Sequence, residues 1–139
     1  MAGYSNTPLP KKLGIKEGSK VAVINPPPAF DKTLGKLPSD AVIHSGVSGK
    51  ARFDVIVVFV TSRAELERQI AKTRGHMTPA AGLWIAWPKK SSGVVSDVTE
   101  GIVRETALPT GLVDNKVCAV DETWSGLRLV IRLSLRQLT

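Results

Sequence analysis

The sequence predicts a single-domain, three-layer α/β protein: a mostly parallel sheet with helices on both faces and a C-terminal antiparallel hairpin strand. Three observations predict it. Residues 53–60, interrupted only by Asp54, form an apolar run rich in β-branched residues, the pattern of a central parallel strand buried on both faces. Ser62, with Glu65 three residues on, forms a capping-box signal that starts a helix directly behind that strand. Further short apolar runs at 20–25 and 83–87 are separated by helix and turn signals, the alternation that builds a parallel sheet.

The elements follow in order. Thr7-Pro8-Leu9-Pro10-Lys11-Lys12-Leu13-Gly14 has a capping Thr, a Pro at the first helical position and a terminating Gly, so one or two helical turns are expected, lying across the sheet edge. After a turn at Glu17-Gly18, residues 20–25 are the first strand. Pro26-Pro27-Pro28 stops it, because proline supplies no ladder donor. A short helix from Phe30 to Leu34 and a brief strand at 41–44 come next. Residues 45–49, rich in Gly and Ser, lead into the central strand. In the helix at 63–74, Leu66 and Ile70 lie one turn apart toward the sheet, and Gly75 ends it. Pro79-Ala80-Ala81-Gly82 reads as a turn into a fourth strand at 83–87, closed by Pro88-Lys89-Lys90. Asp97 with Glu100 resembles a second capping box, opening a helix that ends near Leu108-Pro109. Residues 117–121 are a fifth strand, and Thr123-Trp124-Ser125-Gly126 reverses the chain into an antiparallel strand at 127–133.

At 139 residues such a domain buries roughly two thirds of the surface its unfolded chain exposes. Cys118 is the lone cysteine, so no internal disulfide can form and a reducing cytoplasm is the expected location. The N-terminal residues lack the pattern of a signal peptide, and no stretch approaches the length of a membrane span. The net charge of +7 is uneven: residues 1–52 carry eight Lys/Arg against three acids, residues 53–139 eleven against nine. Such a surplus attracts polyanions without conferring sequence specificity.

The order of elements resembles the catalytic domain of S-adenosylmethionine-dependent methyltransferases, a Rossmann-like fold, with one strand missing near the second. Residues 53–58 are similar to that family's fourth strand, 79–85 to the approach into its fifth, and 124–133 to its closing hairpin. The resemblance implies a Gly-rich turn after the first strand and an acid after the second to hold the cofactor. Here Asn25-Pro26-Pro27-Pro28 and Ile43-His44-Ser45 stand in those places. The expectation is therefore a degenerate methyltransferase-like sheet that uses no cofactor, with a divergent methyltransferase as an alternative. At closer range the chain is similar to a family of short bacterial proteins, domain of unknown function (DUF) family 3052. That similarity is carried by Tyr4-Ser5-Asn6-Thr7-Pro8-Leu9 with residues 12–15, and by residues 59–66, 83–90 and 111–127. It implies no activity, only that these blocks form one surface.

In an open parallel sheet, ligands bind beyond the carboxyl ends of the strands. Asn25, Ser62, Arg63, Trp87, Lys89, Lys90, Asp121, Glu122 and Trp124 all follow strands and are the candidate binding residues. Free donors at the helix start after Ser62, with Arg63, Lys89 and Lys90, favour an anionic small molecule or an acidic protein partner, and the indoles favour a flat or apolar portion. The competing expectation is structural: Arg63 and Lys89 pair with Asp121 and Glu122 while the tryptophans cover an apolar rim. A nucleic-acid-binding alternative uses the basic first third with Arg128, Arg132 and Arg136 alternating along the last strand, although that pattern also suits a solvated edge strand. His44 and His76 lack ligand spacing with Cys118, so no metal site is expected. Asp114-Asn115 reads as a turn that initiates a strand, and the Cys118 thiol as protonated in an apolar strand. Together these point to a non-catalytic binding or interaction module.

Overall fold

The computed structural model describes residues 7–138; Tyr4-Ser5-Asn6 of the first family block and the N-terminal start lie outside them. Among the described residues one sheet carries six strands: β1 (Lys20–Ile24), β2 (Val42–Ser45), β3 (Phe53–Phe59), β4 (Met77–Pro88), β5 (Leu112–Ala119) and β6 (Trp124–Ile131). Their order is β2-β1-β3-β4-β6-β5. The first four run parallel, and β6 enters antiparallel between β4 and β5. Helices α1 (Leu9–Leu13) and α2 (Phe30–Leu34) cover one face; α3 (Arg63–Thr73) and α4 (Glu100–Ala107) cover the other.

The three layers follow from the period of two in the central strand. Val55, Val57 and Phe59 of β3 pack with Leu9, Leu13, Phe30 and Leu34 of α1 and α2. Ile56 and Val58 pack with Leu66 and Ile70 of α3 and Val103 and Ala107 of α4. Each Val, Leu, Ile or Phe among them contributes about 1.5–3 kcal/mol on full burial. No helix of the described residues is long and apolar enough to cross a membrane.

Several local expectations change. Pro8, not Thr7, is the residue before α1, and Gly14 closes it at φ 84°. α1 lies on the sheet face instead of its edge, because Leu9 and Leu13 need an apolar surface and Trp84 Nε1 donates to the Leu13 carbonyl at 2.9 Å. The turn foreseen at 79–82 lies inside β4: the ladder pairs Phe53 with Met77 and then Val55 with Gly82, so the extra residues form an irregular bulge that tolerates Pro79. Asp114-Asn115 likewise sits within β5, which begins at Leu112, with a register shift between Asp114 and Lys116. After Ile131 the chain enters a 3-10 helix, Leu133–Leu138, so Arg132 and Arg136 do not extend the strand, and β6 is an inner strand, not an edge.

Helix starts differ from the capping-box expectation in an informative way. Ser62 Oγ accepts from the Glu65 amide at 3.1 Å, but the Glu65 carboxylate turns to Arg68 (2.9 Å) and Gln69 (3.3 Å). Thr99, not Asp97, caps α4, accepting from the Ile102 amide at 3.2 Å. Asp97 instead accepts from the Arg63 amide at 2.7 Å, at the start of α3. Ser62→Ala is expected to cost about 1 kcal/mol of stability in urea unfolding, the usual value of an N-cap; an unchanged midpoint would count against this capping role.

Candidate functional site

Parallel order carries the residues after β1, β3 and β4 to one edge of the sheet, and the β5–β6 hairpin joins them there. Lys89 and the hairpin are brought together: the Lys89 amide donates to the Thr123 carbonyl at 2.8 Å and its Nζ to the Asp121 carbonyl at 3.1 Å. The Asp121 carboxylate accepts from the Thr123 and Trp124 amides, both at 2.8 Å, and so shapes the reversal. Arg63 pairs with Glu67 on its own helix at 3.6 Å. Of the leading donors of α3, the Arg63 and Glu65 amides are engaged by Asp97 and Ser62, so these two are not free for an anion. Asn25 is exposed at φ 56°, and Lys90 and Glu122 are exposed.

The two indoles do not share a face. Trp87, 7% exposed, belongs to the core beneath α3 and α4. Trp124 packs on the opposite side, edge-on to Phe59 at 5.1 Å between ring centres. The four sequence blocks of the expected surface instead meet in the core under α1, through Leu9 and Leu13, Phe59, Trp84 and Ala86, and Val120 with Trp124.

At the ends of β1 and β2 lies a cavity of about 390 Å³, lined by Pro26, Pro27, Ala29, Phe30 and Ile43 among others. Its carboxylate, Asp31, comes from α2 instead of the end of β2, where Ser45 stands. Ala29, the residue before α2, holds a left-handed φ of 62°.

A second assembly lies at the amino ends of the parallel strands, on the face covered by α1. Lys11 and Lys12 project from the last turn of α1. Lys16 sits in a tight loop fixed by its amide donating to Ser19 Oγ at 2.8 Å, with Gly18 at φ 75°. Lys116 and Arg128 are cross-strand partners on β5 and β6, and Arg128 pairs in register with Trp84 on the other side. Gly82 makes room for Arg128: a Cβ there would overlap Nε and stand 3.0 Å from Cζ.

These five cations line a cleft of about 550 Å³, together with two carboxylates, Glu17 and Asp54. Asp54 accepts from the Lys20 amide at 2.8 Å. No carboxylate of the described residues forms an ion pair with any of the five cations. Arg128 is half-buried; burial first, and then the like charge of Arg136, lower its pKa from the ordinary value, and its guanidinium donates to Asn115 Oδ1 at 3.3 Å. A neighbouring cavity of about 560 Å³ shares Lys11, Lys12 and Lys116 and adds Val117, Cys118, Ala119 and Ser125. Burial raises the Cys118 pKa, partly offset by Lys12 and Lys116.

Sequence reasoning missed this assembly as a site. Its signals were present, in the basic first third and in Arg128, but they come from four separate segments that only the β5–β6 register and the position of α1 bring together.

No family model matches the chain, and no curated protein matches it significantly in sequence. Solved structures do match in fold. A SAM-dependent methyltransferase from Aquifex aeolicus aligns with TM-score 0.59 at 15% identity, covering 87% of both chains. A ribosomal protein L11 methylase from Lactobacillus delbrueckii subsp. bulgaricus aligns with TM-score 0.60 at 10% identity, over 89% of this chain and 75% of that one. A putative methyltransferase from Thermoplasma acidophilum aligns with TM-score 0.58 at 8% identity, over 93% and 76%. The chain therefore has the Rossmann-like, methyltransferase-like fold. Its residues do not fit that fold's cofactor: three prolines replace the glycine cradle and its backbone donors, and no carboxylate closes β2.

Proposed function

We propose that this protein is a non-catalytic binding module on a methyltransferase-like sheet, and that its ligand is anionic and seats in the cleft between α1 and the β5–β6 pair. The observation that carries the reading is Arg128. A guanidinium withdrawn from water loses solvation, and here it donates to a neutral amide, with four lysines lining the same cleft. An anion would compensate that charge, through charge-assisted hydrogen bonds worth about 1.5–3 kcal/mol each. The carboxyl edge, the first place to look in such a sheet, supports the reading less, since its helix start is already engaged by Asp97.

Calorimetric titration with inorganic tripolyphosphate tests it. Saturable one-to-one binding is expected, weakened about tenfold or more by Arg128→Gln, because one charge-assisted contact is lost. Retained affinity in that variant would remove the basis of the proposal. The divergent-methyltransferase reading, which the neighbouring folds favour, predicts instead a thermal shift with S-adenosylmethionine that Arg128→Gln leaves intact.

A further inference from the structure

We infer that the open edge of β2 is a self-association surface: a second copy of this chain adds its own β2 antiparallel, about a two-fold axis at His44, so that the two sheets become one. The inference is independent of the anion reading, because no residue lining the basic cleft belongs to β2 or to the cavity beside it.

A parallel strand in a layered sheet is ordinarily covered on both faces, yet every residue of β2 is exposed, Val42 at 53% and Ile43 at 39%. Its backbone is only half used. The Val42 amide donates to the Ser19 carbonyl at 2.9 Å and the Gly46 amide to the Val23 carbonyl at 3.0 Å, so the even-numbered residues turn their backbone groups toward β1. By alternation the N–H and C=O groups of Ile43 and Ser45 point away from β1, and β2 has no second neighbour in the sheet of the described residues.

The other edge of the sheet is guarded. There β5 carries Asp114 and Lys116 with a register shift between them, features that discourage pairing with a further strand. Residues 41–49, in contrast, contain no Lys, Arg, Asp or Glu. Two chains of net charge +7 can therefore meet along a segment that sets no like charges opposite each other.

The free backbone groups choose the register. The Ala41 amide already donates to the Pro38 carbonyl at 3.2 Å, which disfavours pairing centred on Ile43. Setting Ile43 opposite Ser45 of the second copy uses every outward group of Ile43 and Ser45 in both strands and leaves His44 facing its counterpart. Opposite residues share a face, so Ile43 of the second copy stands beside Ser45, at the cavity of about 390 Å³ walled by Pro26, Pro27, Phe30 and Leu34 among others. Asp31, the one charged residue lining it, is exposed. An exposed apolar side chain thus meets an apolar recess twice, once in each copy. That reciprocity selects a second copy over a foreign strand.

Sedimentation equilibrium should show a reversible dimer with a Kd on the order of 10 µM, as suits a short edge. Ser45→Pro removes an outward donor from each copy and leaves the β1 ladder intact, so the dimer should weaken about tenfold or more with an unchanged circular dichroism spectrum. His44→Cys reports the register. Facing residues of a non-hydrogen-bonded pair stand about 4.5 Å apart at Cα, within the span that a disulfide accepts. Under mild oxidation this variant should form a covalent dimer at least about ten times faster than Val95→Cys, which is 93% exposed and lies outside β2 and its cavity. Wild type, with Cys118 on β5, gives the background rate. A monomer up to about 1 mM, equal crosslinking at the two positions, or a dimer that a folded Ser45→Pro leaves intact overturns the inference. A dimer without the His44→Cys disulfide does so too, since it would use another surface. Should Ser45→Pro alter the spectrum, the crosslinking comparison decides.

Discussion

Replacing Trp84 by alanine is expected to lower the unfolding free energy by about 3–5 kcal/mol, the range for large aromatic truncations in a core. Trp84 is fully buried at the middle of β4, between Val57 of β3 and Arg128 of β6. It does three things at once. Its ring fills the core under α1; its indole N–H satisfies the Leu13 carbonyl at the end of that helix; and it lies over Gly126, where a Cβ would come within 3.2 Å of Trp84 Cε3. Trp84→Phe keeps most of the apolar volume but leaves that carbonyl without its donor, so about 1–3 kcal/mol is expected. Urea unfolding followed by circular dichroism measures both. A domain of this size has only about 5–15 kcal/mol in total, so the alanine variant should sit near its folding threshold. If Trp84→Ala unfolds within about 1 kcal/mol of wild type, the anchoring of α1 described above is wrong. Because α1 carries Lys11 and Lys12, loosening it should also weaken anion binding, linking this core position to the cleft.

The central architecture was legible because buried parallel strands write themselves as apolar runs: residues 53–60, apolar except for Asp54, located β3, and the capping Ser62 located α3 with no tertiary knowledge. The hairpin itself was also legible, but the reversal falls at residues 120–123, and Trp124, Ser125 and Gly126, read as the turn, already belong to β6. What was not legible depended on contacts between distant segments. Asp97 looked like the cap of the helix next to it in sequence, but its carboxylate reaches α3, thirty-four residues back. Pro79 looked like a turn because its lost donor argues against a ladder, and the bulge in β4 removes that objection. The indoles of Trp87 and Trp124, read as following strands, lie within β4 and β6 at the same edge, and strand alternation sends them to opposite faces. The basic cleft illustrates the same limit: Gly82 gives no charge signal of its own, and its role is visible only once β6 lays Arg128 across it.

Two triple variants of equal charge separate the two edges of the sheet. Lys16→Gln, Lys116→Gln and Arg128→Gln combined are expected to weaken tripolyphosphate binding at least about 100-fold, since each lost charge-assisted contact costs about 1.5–3 kcal/mol and neighbouring losses do not add fully. Arg63→Gln, Lys89→Gln and Lys90→Gln combined remove the same three charges from the net +7 but at the carboxyl ends. Attraction at long range is thus lowered equally, so any difference reports local contact. The second triple should stay within about threefold of wild type, the scale expected of screened, distant charges. Gly82→Ala then probes geometry with no change in charge: the added methyl must push the Arg128 guanidinium aside, and affinity should fall several-fold if its position matters and not merely its charge. Equal losses from the two triples would mean that the protein attracts anions only through its net charge. In that case the arrangement of Lys16, Lys116 and Arg128 would have no special part in binding.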